Sequence, residues 1–207
     1  MTTPKTTETS TAQDLATTTW ANDSALVVID VQRGVVADGW DRDGVVNRIA
    51  GLIDHARDIK VPVIYIQHED ETYAPMARGG DSWQICDEIA PRDGEIVIAK
   101  SYPDAFAETD LRATLDDLGI RNLVLCGAQT DACVRATTYR AIADGYGVTL
   151  VSDCHTTGDR AFDGVEISGK QIVAHMNAST PYIEYPGRAP KLATQAELVT
   201  ANRPATV

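Results

Sequence analysis

No stretch of this chain approaches the roughly 20 apolar residues of a membrane-spanning helix, and its N-terminus lacks the apolar core of a secretory leader. Cysteine is scarce. The four present, Cys86, Cys126, Cys133 and Cys154, show no Cys-x-x-Cys pairing, which argues against both a disulfide scaffold and a zinc ribbon and fits a reducing compartment. Positive charge is in the minority, with 18 Lys and Arg against 30 Asp and Glu and a formal net charge of -12. That balance excludes a nucleic-acid or anionic-membrane partner, because both demand a basic surface. There is no internal repeat, no heptad pattern and no phosphate-cradling glycine loop; Gly79-Gly80 lacks the strand and helix that a nucleotide motif needs. What remains is a cytoplasmic protein acting on a small molecule.

Its 207 residues suit one domain with a substantial single core. Residues 1–22 are rich in Thr and poor in apolar side chains, so they are expected to form a flexible arm, and the proline-bearing stretch 187–207 a loose tail, leaving 23–186 as the domain. Within it, short apolar runs alternate with helical periodicities. Strands are expected at Ala25–Asp30, Val61–Gln67, Glu95–Ala99, Leu123–Cys126 and Gly147–Asp153, with a final short strand at Tyr182–Tyr185. Helices are expected over 43–59, 109–118, the segment after Thr130, and 168–177. Strands alternating with helices imply a three-layer α/β/α, Rossmann-like architecture around a mainly parallel sheet of about six strands.

In such a sheet the strands' C-terminal ends share one edge, where ligands bind. Asp30 ends the first strand, Lys100 follows the third, and Cys133 lies just inside the helix that follows the fourth. With Thr130 or Asp131 as the helix cap, Cys133 stands among unpaired backbone N–H groups at the positive end of the helix dipole, a position that favours a thiolate. A thiol, a carboxylate and an ammonium at one edge supply a nucleophile, a proton carrier and a cation that holds both. Other groups read more blandly. His68-Glu-Asp-Glu71 fans outward as a solvated acidic loop and not as a metal site, and His155 and His175 read as structural hydrogen-bonding residues. The segment from Tyr73 to Ala90 is read as a loop covering the pocket, with Trp83 or Tyr73 in its wall; Gln32, Tyr102 and Phe106 complete the expected lining.

Asp30 in Ile-Asp-Val-Gln, Lys100 after Ile-Val-Ile-Ala, and the turn Gly127-Ala-Gln-Thr-Asp-Ala-Cys-Val134 together resemble the three motif positions of the isochorismatase-like cysteine hydrolases, over most of residues 25–185. The resemblance implies an Asp30–Lys100–Cys133 triad that cleaves C–N bonds of small amides, ureides, carbamoyl compounds or lactams through a thioester, without a cofactor or metal. It also implies a cis peptide between Ala128 and Gln129 that aims the N–H of Gln129, with that of Cys133, at one oxyanion, and a homodimeric or homotetrameric assembly. Gln67-His-Glu-Asp70 does not reproduce the Asp-x-His metal pair of nicotinamidases, which disfavours nicotinamide. The siderophore-type isochorismatases, which cleave a vinyl ether, lack the cysteine that stands here at Cys133. The competing readings are that vinyl-ether chemistry, or a catalytically silent binding protein with the same fold.

Overall fold

A computed structural model describes residues 20–200 of the chain. Six strands form one sheet: β1 (Ser24–Ile29), β2 (Val63–His68), β3 (Ile96–Lys100), β4 (Asn122–Ala128), β5 (Gly147–Thr156) and, after a two-stranded antiparallel hairpin of β6 (Arg160–Phe162) and β7 (Val165–Ile167), β8 (Lys191–Ala193). The sheet order is β3-β2-β1-β4-β5-β8 and every pairing within it is parallel, as the α/β reading requires.

The continuous apolar runs are explained by burial on both faces. In β1, Ala25, Val27 and Ile29 join one core cluster, whereas Leu26 and Val28 join the other. The first of these faces is covered by α2 (Leu111–Asp117), α3 (Arg135–Asp144) and α4 (Gly169–Ser179) through Leu111, Leu115, Ala141, Ile142 and Met176. The opposite face is covered by α1 (Arg42–Asp58) and α5 (Gln195–Thr200) through Val45, Val46, Ile49, Leu52, Ile53 and Leu198. Helix ends follow local chemistry: Ser168 and Gln171 form a reciprocal capping box at the start of α4, and Gly145, at φ 104°, stops α3.

Two expectations near the C-terminus are corrected. Residues 182–185 do not form a strand; the chain makes a single helical turn at Thr180–Tyr182, and Tyr185 bridges only to Arg188. The sixth strand lies instead within the supposed tail. Lys191–Ala193 pairs with Thr149–Val151, α5 packs on α1, and Leu198 is buried, so this stretch belongs to the body of the fold. At the other end most of the expected arm lies outside the described residues, but Trp20 is buried and its indole N–H donates to Leu198 O at 3.1 Å. Among the described residues no helix is long and apolar enough to cross a membrane.

The strand order fixes where a ligand can sit. From β1 the sheet grows one way through β2 and β3 and the other way through β4, β5 and β8, so the crevice opens above the C-terminal ends of β1 and β4.

Candidate active site

Three strand ends bring the expected residues together. Asp30 directly follows β1 in a left-handed backbone conformation, φ 49°, while its N–H still pairs with Ile66 O at 2.9 Å. Lys100 is the last residue of β3, paired in register with His68 of β2. Cys133 lies in a π-helical turn, Thr130–Val134, between β4 and α3. Gly127 makes the close approach possible. Its φ is 125°, and a Cβ there would lie 2.0 Å from Ile29 O, so any other residue would push β4 off the end of β1 just where Asp30 begins.

The Lys100 ammonium is the hub. Its Nζ lies 2.7 Å from Asp30 Oδ2, 3.2 Å from Cys133 Sγ, 3.0 Å from Tyr102 O and 3.4 Å from His68 Nδ1. The Asp30 and Lys100 side chains are fully buried and Cys133 is partly exposed, so the thiol is the member of the set that a ligand can reach. Beyond the Lys100 ion pair, the two Asp30 carboxylate oxygens have no well-formed hydrogen bond.

Burial governs the proton states. It holds the Asp30 carboxyl above its ordinary value against the pull of Lys100 and of the Cys133 thiol. Burial, with the Asp30 charge behind it, pushes the Cys133 thiol up to about 12, against the opposing effect of Lys100. Loss of water and a neighbouring carboxylate therefore work against the thiolate that the helix start was expected to favour. The capping expectation fails as well. Gln129, not Thr130 or Asp131, is the residue before the turn, and no side chain caps it. The Thr130 hydroxyl bonds instead to His155 Nδ1 at 2.9 Å, whose Nε2 meets Asn177 Oδ1 at 3.0 Å, so His155 is a buried structural histidine. His175 is an exposed residue of α4.

A cleft of about 370 Å³ opens over this cluster. Asp30 and Cys133 lie at its base, with Gln129 beside them; Gly34, Val35 and Asp38 from the loop after β1 form one wall, and His68, Tyr73 and Met76 the other. Tyr73 thus stands where expected. Trp83 does not: it lines a separate surface hollow with Arg33 and Gln67, and contributes its carbonyl, which accepts from Gln32 Nε2 at 2.7 Å and Gln67 Nε2 at 2.9 Å. Gln32 is also removed from the expected pocket lining, since its amide is consumed bracing the backbone of His68 and Trp83. Tyr102 lends only its backbone oxygen to Lys100 and keeps an exposed ring, and Phe106 is a core residue stacked on Tyr146 at 5.6 Å. The peptide bond between Ala128 and Gln129 is cis.

The acidic loop after β2 divides its duties. Glu69 pairs with Arg78, and Asp70 accepts from the backbone and hydroxyl of Thr72, while the His68 imidazole, held below its ordinary pKa by burial and by Lys100, faces the cleft. No group of three or more His, Cys, Asp or Glu side chains suited to holding a metal occurs among the described residues. The sequence reading missed an arginine clamp behind the cysteine turn. Arg160, at the start of β6, donates to Gln129 Oε1 at 2.7 Å, to Asp131 Oδ2 at 3.1 Å and to Thr157 Oγ1 at 3.0 Å, and Thr157 closes the ring by donating to Asp131 Oδ1 at 2.7 Å. Its only sequence signal was a Gly158-Asp-Arg160 stretch after an apolar strand, which is common in loops.

A doubly wound parallel sheet with a cleft at its switch point defines the class, an α/β protein with an open cleft at its strand ends. A family model described as the Isochorismatase domain matches residues 24–178, and the chain belongs to that family of hydrolases. The secreted isochorismatase effector of Verticillium dahliae is 32% identical over 149 residues, covering 70% of this chain and 77% of that protein. The maleamate amidohydrolase of Pseudomonas putida is 31% identical over 159 residues, covering 67% and 74%. The crystal structure of an isochorismatase from Pseudomonas putida superposes with a TM-score of 0.76 at 32% identity, covering 85% of this chain and 90% of that one.

Proposed function

We propose that the protein is a metal-independent cysteine hydrolase that cleaves a C–N bond in a small amide, ureide, carbamoyl compound or lactam. The observation that carries this reading is the single ammonium of Lys100 placed 2.7 Å from a carboxylate and 3.2 Å from a thiol at the base of a cleft. The maleamate amidohydrolase relative supports the bond type.

In the proposed reaction Asp30, made more basic by burial, takes the Cys133 proton as the sulfur adds to the substrate carbonyl. Lys100 stabilises the sulfur's developing negative charge and holds both partners in line. The N–H groups of Gln129 and Cys133 receive the oxyanion; loss of one such donor typically raises a barrier by ~3–4 kcal/mol. Asp30 returns the proton to the leaving nitrogen as the C–N bond breaks, leaving a thioester on Cys133. A water activated by Asp30 then adds to the thioester, and the acid and the free thiol are released. A thiol that rests protonated fits this scheme, because its proton is the one the leaving group needs.

The reading carries with it a reducing compartment such as the cytoplasm, in keeping with four free cysteines, and a homodimer or homotetramer whose mass light scattering would report. Its test is an ammonia-release screen over carboxamide, ureido, carbamoyl and lactam compounds with wild type and Cys133→Ala. Release by the wild type that vanishes in Cys133→Ala is the expected result; retained activity in the variant, or pyruvate release from isochorismate without dependence on Cys133, overturns it. Iodoacetamide followed by peptide mapping should modify Cys133 well ahead of Cys86, Cys126 and Cys154, which are buried.

A further inference from the structure

The cleft carries a second chemical signal, in its rim. Asp38 is exposed there and has no hydrogen-bond or ion-pair partner among the described residues. Its carboxylate lies against Gly158: a Cβ there would stand 2.6 Å from Asp38 Oδ2, so the absence of a side chain at that glycine makes room for the acid. No lysine or arginine lines the cleft. Lys100 lies beneath it, occupied by Asp30, Cys133 and Tyr102 O. The arginines on the flanking segments are also spoken for, Arg33 by Asp81 and Asp87, Arg78 by Glu69, and Arg160 by Asp131 and Gln129.

A substrate with a distal carboxylate would therefore meet an unpaired anion and no cation, inside a protein of net charge -12. A substrate with a distal cation would meet Asp38 on one wall and the half-exposed ring of Tyr73 on the other, and a carboxylate and an aromatic ring lining one cleft both favour an ammonium or guanidinium. At the base of the same cleft Asp30 and Cys133, joined through Lys100, mark the end where the reacting group lies.

We propose that Asp38 selects the substrate: the molecule hydrolysed is an amide or ureide whose far end bears an ammonium or guanidinium, and amides ending in a carboxylate are rejected. This rests on the cysteine-hydrolase reading above. It adds a charge preference, which that reading does not contain.

Two measurements test it, only one of which needs turnover. The first compares modification of Cys133 by 2-aminoethyl methanethiosulfonate, a cation, and 2-sulfonatoethyl methanethiosulfonate, an anion, with each rate divided by that for free cysteine. The expected result is a preference for the cation of about tenfold, from one charge at the rim, that falls towards unity in Asp38→Asn and inverts in Asp38→Lys. The second compares ammonia release from 4-aminobutanamide and from succinamate, matched in length. The expected ratio of kcat/KM favours the cationic amide by about tenfold or more and drops in Asp38→Asn through a raised KM. A normalised reagent ratio at or below unity, or one unchanged in Asp38→Asn, overturns the proposal whether or not either amide is hydrolysed. If both amides and the wider screen yield no ammonia, the hydrolase reading fails separately, and the reagent ratio still decides the charge preference of the cleft.

Discussion

The Lys100 ammonium lies 2.7 Å from the Asp30 carboxylate, with both side chains buried, and this pair joins the edge strand β3 to the central strand β1 across β2. Two charges out of water are tolerable only together. Lys100→Met should therefore leave an uncompensated buried carboxylate and lower stability by about 3–5 kcal/mol in urea unfolding, whereas Lys100→Met combined with Asp30→Asn should recover much of that loss. Both variants should be inactive. A double variant no more stable than the single one would mean that Lys100 acts on the fold by packing and not by charge.

The position of Asp30 also depends on a residue that carries no chemistry. At Gly127 a Cβ would sit 2.0 Å from Ile29 O and 2.7 Å from Ile29 N, in a backbone at φ 125°. Gly127→Ala should cost upwards of about 3 kcal/mol, because strain and a backbone clash add. Gly94, at φ 86° with nothing within 4 Å of its Cβ position, isolates the strain alone, and Gly94→Ala should cost about 1 kcal/mol. Equal losses in the two variants, measured by chemical denaturation, would remove the close approach of β1 and β4 as the reason for this glycine.

The framework was legible from the chain because its signals are local or periodic. β1, β4 and β5 are apolar runs covered on both faces, α1 declares itself by spacing, and a parallel sheet gathers strand ends, so Asp30, Lys100 and Cys133 could be placed on one edge without knowing a single distance. β8 was not legible, since three residues, Lys191–Ala193, hold too little pattern and owe their conformation to pairing with β5. The cleft walls were not legible either. Gln32, Trp83 and Phe106 point where the folded loops and core take them, and that direction is set by tertiary partners such as the backbone of His68 or the ring of Tyr146. For Cys133 the helix start was visible, but the burial and the adjacent carboxylate that reverse its proton preference were not.

That reversal is measurable. With the thiol pushed up to about 12, alkylation of Cys133 by iodoacetamide in the free protein should be slow at neutral pH and rise about tenfold per unit through pH 9, without a plateau. The linkage has a definite sign. An unfolded cysteine loses its proton near pH 8.5, whereas the folded one keeps it, so the stability tied to Cys133 is fully present below about pH 8.5 and declines as pH rises towards 12, by up to about 1.4 kcal/mol per unit. Cys133→Ala should show a correspondingly shallower alkaline decline. A rate plateau below pH 8 would place the thiolate in the resting protein and contradict the dominance of burial.

Arg160 offers a test of how the cysteine turn is held. Its guanidinium grips Gln129 and Asp131, both in the first half of the turn that leads to Cys133, and Thr157 donates to the same Asp131 carboxylate. The side chain is partly exposed, so the ion pair itself is worth only about 0–1 kcal/mol and Arg160→Ala should barely move the melting temperature. Its effect should fall on geometry, because Gln129 and Asp131 belong to the same short turn as Cys133 and a small displacement there is costly. The expected result is a fall of about tenfold or more in kcat with a smaller change in KM, as for a group that positions without binding substrate. Arg160→Lys should rescue little, since an ammonium cannot reproduce the fork that reaches an amide oxygen and a carboxylate at once. A kcat within twofold of wild type in Arg160→Ala would show that β4 and the packing of Val134 hold the turn without help, and that the clamp serves only to fasten the β6–β7 hairpin to the body of the fold.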